Sequence, residues 1–209
     1  MPKEPDAKEI VLPLPSSVER TEIHLRRIEM RGYQRVDGLF DIEGHITDQK
    51  PHAFINAGGA NRAPNEPIHD MWIRLVVDEN FNVKDVHTIS DNVPYGDCVV
   101  AGFNLKTLIG VNIAKGWSRE IKARLSGAAC CTHLREMLTP LGSAAYQSLV
   151  MARREKNLVH TDPAGKPKLI NSCYAYAEDR ALVARRWPDH YTGDPALLER
   201  TEKPDDPQQ

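Results

Sequence analysis

Between residues 33 and 48 apolar and ionisable side chains alternate with period two. Val36, Phe40, Ile42 and Ile46 share one parity; Asp37, Asp41, Glu43 and His45 share the other. Successive side chains of an extended chain point to opposite faces, so the pattern predicts a long strand with one apolar and one ionisable face. Residues 21–30 alternate less regularly and read as a strand ending in a turn at Arg31-Gly32. Residues 68–77 and 83–90 read as two further strands, joined by a hairpin through residues 78–82. On the first of these, His69, Met71, Ile73, Leu75 and Val77 share a face, with Asp70, Trp72, Arg74 and Val76 on the reverse. Residues 52–67, which include Gly58-Gly59, Asn61, Pro64 and Pro67, read as a long loop.

The period then changes. Residues 98–109, 117–125 and 132–154 carry apolar side chains three and four apart, the spacing of one helix face. Leu134, Met137, Leu138, Leu141, Ala145, Leu149 and Ala152 form the stripe of the longest segment, which starts at Thr132 and is expected to kink or break at Pro140. Residues 170–176 and 181–183 read as short closing strands. Strands first and helices afterwards predict an α+β fold, a mostly antiparallel sheet from the N-terminal half packed by helices from the C-terminal half. Proline crowds both ends, so residues 1–19 are expected to form an arm and residues 188–209 a tail, around a single domain over residues 20–187.

Composition narrows the function classes. The 209 residues carry 27 basic and 29 acidic side chains, a formal charge of −2, which gives no electrostatic footprint for nucleic acid. No apolar run approaches the ~20 residues that span a bilayer, and the first ten residues lack a secretory pattern. A cytoplasmic protein is therefore expected, with four reduced cysteines: Cys98, Cys130, Cys131 and Cys173. Phosphate-cradling loops, dinucleotide fingerprints, H-E-x-x-H and G-x-S-x-G are absent from the sequence, so no cofactor is expected.

Three constellations carry candidate chemistry. In the first, Arg35, Asp37, Asp41, Glu43 and His45 share the ionisable face; neighbouring carboxylates oppose each other's ionisation and an arginine restores it, which poises an acid and a base. The plainer reading is a solvated face with cross-strand ion pairs. Gly38 after Asp37 suggests a bulge or a close ligand approach. In the second, His69 sits among apolar neighbours, as a core residue or as the lining of a cavity where an imidazole moves protons. In the third, Cys131 and His133 stand at the mouth of the longest helix, whose dipole favours a thiolate; a packing point, an anion-positioning helix end and a metal site built on Cys98, Cys131 and His133 are the competing readings. Tyr95, Met71 and Phe40, with Cys131, are candidates to line a substrate pocket.

The runs R-V-D-G-L-F-D-I-E-G-H-I-T-D (35–48), P-I-H-D-M-W-I-R-L (67–75), L-I-G…G-W (108–117) and C-T-H-L (131–134) resemble a bacterial domain-of-unknown-function family, over about residues 20–180. The resemblance implies a setting in proteobacteria that break down aromatic and acyl compounds. Arg35, Asp37, Asp41, Asp48, His69, Asp70, Cys98, Cys131, Thr132 and His133 stand where its motifs stand, and Cys130 stands where its pattern more often has glycine. The expected function is a cofactor-independent enzyme on a small hydroxylated, aromatic substrate. His69 would move a proton, Arg35 and Asp37 would polarise a hydroxyl, and His133 would complete the site. Retro-aldol carbon–carbon cleavage releasing a small aldehyde suits that set. The alternatives are a thioester or ester hydrolase, with Cys131 as nucleophile and His133 as base, and a non-catalytic ligand-binding or metal-binding protein of the same pathway. A homodimer is the base-rate expectation for a soluble domain of this size.

Overall fold

The computed structural model describes residues 17–56, 58–156 and 161–196. Most of the expected arm and tail lies outside these residues. The fold is α+β, as the change of period implies. The described residues form two compact units that meet in sequence at Ala145 and Tyr146, inside the longest helix.

In the first unit, β1 (Leu25–Gln34), β2 (Phe40–Gln49), β5 (Pro67–Val77) and β6 (Val83–Asn92) form an antiparallel sheet in the order β1-β2-β5-β6. A two-stranded ribbon, β3 (Phe54–Ile55) and β4 (Asn61–Arg62), interrupts the expected long loop. Strict alternation of buried and half-buried positions runs the length of β2, so the period-two reading holds there. One boundary differs. The β1–β2 turn falls at residues 35–39, not at Arg31-Gly32, because Gly38 adopts φ +83°. That left-handed conformation is cheap for glycine and fixes the reversal at this point. Asp37 and Gly38 thus belong to a hairpin tip, not to a bulge inside a strand.

The apolar parity is buried: Ile42 and Ile46 of β2 and Met71, Ile73 and Leu75 of β5 are all 1% exposed or less. Each such burial is worth about 1.5–3 kcal/mol. Helix α2 (Trp117–Leu125) matches its expected bounds, and α3 (Thr132–Glu155) runs through Pro140 without interruption. Gly44 lets α3 approach the sheet closely, since a Cβ there would stand 3.2 Å from the Leu141 side chain. Gly142 leaves room for Trp117, whose indole N–H donates to the Leu138 carbonyl at 2.7 Å. The expected helix at 98–109 is instead a single turn, α1 (Asp97–Val100), followed by a 3-10 segment (Ala101–Leu108).

The second unit corrects two further expectations. Residues 170–176 end in a 3-10 turn (Tyr174–Tyr176), and residues 181–183 open a helix, α4 (Ala181–Arg186). Their apolar runs are too short to distinguish a strand from a helical turn by period. The first part of the expected tail is also structured, with a 3-10 turn at Pro188–His190. Within this unit the rings of Tyr176 and Trp187 meet at 5.8 Å, and Glu178 accepts hydrogen bonds from Lys166 and Asn171.

Candidate functional site

Asp48 breaks the rule of its own strand. It has the parity of Phe40, Ile42 and Ile46, so the pleat that buries those side chains buries a carboxylate with them, and the residue is 1% exposed. An isolated carboxylate there would be expensive. Four donors offset that cost. Arg26, directly opposite on β1, forks onto it: Nε donates to Oδ1 at 2.8 Å and Nη2 to Oδ2 at 2.9 Å. His24 Nε2 lies 3.0 Å from Oδ1, and His69 Nδ1 lies 3.0 Å from Oδ2. The sheet register makes the last contact inevitable, since His69 is the cross-strand partner of Asp48. Arg26 also donates through Nη1 to Glu136 of α3 at 2.6 Å, which ties the cluster to that helix.

Helix α3 adds His133 from its first turn. The His133 ring lies over that of His69, with centroids 3.7 Å apart and planes tilted by 32°, and its Nε2 comes within 4.0 Å of Asp48 Oδ2. On its other side, His133 Nδ1 stands 3.7 Å from the Cys131 thiol. The Cys131 carbonyl accepts the Arg135 N–H at 3.0 Å, so Cys131 occupies the cap position of the helix. One oxygen of Asp48 and one nitrogen each of His69 and His133 lie within 4.8 Å of one another.

Protonation follows from these neighbours. Burial pushes the Asp48 carboxyl up, but hydrogen bonds and charge from Arg26, with His69 and His24 behind them, outweigh it and hold the group below the ordinary carboxylate range. For His69, burial and then the His133 charge push the imidazole down, and Asp48 does not reverse the shift; it is neutral at pH 7. An ionised carboxylate only accepts, so His69 Nδ1 carries the proton and Nε2 keeps its lone pair. Burial alone would raise the Cys131 thiol. Hydrogen bonding with His133 and the N–H groups of Leu134 and His133 prevails and brings it below the ordinary thiol value. Cys130, by contrast, is pushed up to about 11 by burial and by Cys131.

The residues expected to work together divide between places. His69, His133 and Cys131 converge on Asp48. Arg35 and Asp37 do not. They pair with each other at the β1–β2 turn, Nε to Oδ1 at 3.0 Å and Nη2 to Oδ2 at 2.6 Å. The turn lies beyond Phe40, and Phe40 is eight positions along β2 from Asp48, roughly 26 Å of extended chain. Asp41 accepts from Arg35 at 3.3 Å and Glu43 from Arg74 at 2.7 Å, the cross-strand ion pairs of a solvated face. Of the expected pocket lining, Met71 and Phe40 are core residues, 0% and 4% exposed, while Tyr95 is 53% exposed beyond the end of β6. Asp70 points away from His69, as its parity requires, and meets His45 Nε2 at 2.7 Å, where the His45 ring stacks on Trp72 at 3.7 Å. All four cysteines are free thiols. Cys98, Cys131 and His133 do not gather as ligands; the described ligand atoms that gather are those of Asp48, His69 and His133.

A family model described as "Protein of unknown function (DUF2889)" matches residues 24–147, more than half of the chain. The chain belongs to the DUF2889 family. No curated protein and no solved structure matches it. The DUF2889 region begins at His24 and contains Arg26, Asp48, His69, Cys131, His133 and Glu136, so the whole cluster lies inside it. Sequence reasoning passed over His24 and Arg26, and quoted Asp48 only within a motif. The signal for Asp48 was available: a carboxylate on the apolar parity of an amphipathic strand.

Proposed function

We propose that this DUF2889 chain is an enzyme performing proton-transfer chemistry on a small hydroxylated substrate at the Asp48 cluster. An imidazole, a carboxylate and a guanidinium are the groups such a site needs; here they are His69, Asp48 and Arg26, in place of the set with Arg35 and Asp37. The observation that carries the reading is the 3.0 Å contact from His69 Nδ1 to a carboxylate that Arg26 fixes from the other side. That contact leaves Nε2 as the basic atom and stabilises the imidazolium formed when it takes a proton.

Retro-aldol cleavage is the reaction that suits it. His69 Nε2 removes the substrate hydroxyl proton, the carbon–carbon bond breaks as the new carbonyl forms, and a small aldehyde leaves. The electron pair passes to an acceptor carbonyl within the substrate, and the resulting enolate regains a proton. Aromatic β-hydroxy carbonyl compounds are the class to assay, with aldehyde release as the readout. Loss of turnover but retained ligand binding in His69→Gln, with both retained in Asp37→Asn, is the expected result. Turnover that survives His69→Gln overturns the reading.

A second reading draws on the 3.7 Å approach of His133 Nδ1 to Cys131, closer than the C-x-H spacing suggested, and on the lowered thiol. In a thioester or ester hydrolase Cys131 would be the nucleophile and His133 its base. An acylated Cys131 trapped from a thioester substrate, with turnover lost in Cys131→Ser, selects this reading over the lyase.

A further inference from the structure

Asp48 Oδ2 has two imidazoles directed at it from different elements. His69 on β5 reaches it at 3.0 Å and His133 on α3 stops at 4.0 Å, beyond hydrogen-bond range. The two rings face each other at 3.7 Å, a costly arrangement if both were cationic and one with no shared proton between them. The charge count points the same way. Asp48 and Glu136 share the single guanidinium of Arg26, so with neutral histidines the cluster carries one net negative charge.

We propose that Asp48, His69 and His133 bind one divalent first-row transition ion through a carboxylate oxygen and two imidazole nitrogens. Two histidines and one carboxylate form a donor set for Zn2+ or Fe2+, and three protein ligands leave positions open for water or substrate, the pattern of a catalytic rather than a structural site. On loading, the His69 proton that faces Asp48 passes to the ring's other nitrogen, so the imidazole stays neutral and Nδ1 is free to take the ion. Arg26 and His24 keep their contacts with Asp48 and act as the supporting shell that orients a ligand. A divalent ion brings the net charge from −1 to +1, which favours a bound hydroxide or an anionic substrate oxygen. The inference rests on the reading of this cluster as the reactive centre and changes the proton acceptor there: ion-bound hydroxide takes the substrate hydroxyl proton and becomes water, while His69 serves as a ligand.

The test uses the full chain, stripped by a chelator and then titrated with Co2+ or Zn2+ alone. One equivalent is expected to bind saturably, with visible Co2+ absorption of a low-coordinate site and a rise in melting temperature. His69→Gln and His133→Gln are each expected to lower affinity at least about 100-fold, the upper end of what loss of a supporting second-shell partner costs. Asp37→Asn is expected to bind like the parent. The melting-temperature rise in the parent protein does not depend on either variant folding. Absence of saturable binding to the parent overturns the proposal, and so does binding unchanged in both histidine variants. Turnover by the stripped chain would remove the ion and leave the proton-transfer reading standing; a bound ion without aldehyde release on any substrate would do the reverse.

Discussion

Two arginine–aspartate pairs sit at opposite ends of the β1–β2 hairpin with nearly the same geometry. In each, Nε donates to one carboxylate oxygen and Nη2 to the other, at 3.0 and 2.6 Å for Arg35–Asp37 and at 2.8 and 2.9 Å for Arg26–Asp48. Their surroundings separate them. The Asp37 side chain is 46% exposed, that of Asp48 is 2% exposed. Water solvates the first pair whether or not it forms, so it fixes a turn. The second stands where water cannot replace a lost partner, and two histidines complete the carboxylate's shell. The same fork of hydrogen bonds is ornament in one place and infrastructure in the other. Charge pattern along the chain favours the less consequential pair, because Arg35 and Asp37 stand 2 residues apart and Arg26 and Asp48 stand 22 apart.

Removing one partner from each pair is the most direct attack on this contrast. Arg26→Ala leaves a buried carboxylate without its main counter-charge and is expected to destabilise the fold by about 3–5 kcal/mol in urea titration. A loss below about 1 kcal/mol would mean that the two pairs are energetically alike. Next comes turnover. His69→Gln is expected to lower aldehyde release by roughly 10²–10⁴-fold, the usual worth of a positioned general base, while Asp37→Asn leaves it unchanged.

Carboxyl titration followed by NMR sharpens the contrast further. Both groups are held below the ordinary carboxylate range, Asp37 by the Arg35 hydrogen bonds and Asp48 by Arg26 prevailing over burial. A carboxyl with a lowered folded value stabilises the fold above its unfolded pKa of about 4; that stabilisation disappears as pH falls through the folded value. At about 1 M salt the screening length shrinks to roughly 3 Å. Asp37 is then expected to return to an ordinary value and Asp48 to stay low. If both move together, burial is not what distinguishes them. The smallest effect is expected from Arg35→Ala, which should leave the melting temperature unresolved from the parent.

The elements that sequence periodicity placed best were those with long, regular patterns: β2 from Phe40 onward, β5, and α2 to the residue. It failed at residues 170–183, where runs of a few apolar positions fit strand and helix equally, and at Arg31-Gly32, where a glycine inside β1 resembled a turn. Of the candidate site, His69 was legible from its parity among apolar neighbours. Cys131 and His133 were legible from their position at a helix start. His24 and Arg26 were not, because they precede or open an irregular strand whose phase the sequence leaves open. Arg35 and Asp37 were chosen because charge clusters are conspicuous in a linear chain, whereas burial gives a charge its energetic weight.

By itself, the chain's alternation settled which side chains face the core, since strand and helix periods are local geometry and depend only on neighbouring residues. Which of those side chains meet was decided by the register of β1 against β2 and of β2 against β5, and by the close packing of α3 over Gly44. Those are long-range pairings, satisfied all at once when the core closes. An aspartate at position 48 acquires three histidines and an arginine only after strands and helix from four separate stretches of sequence have been brought to one point.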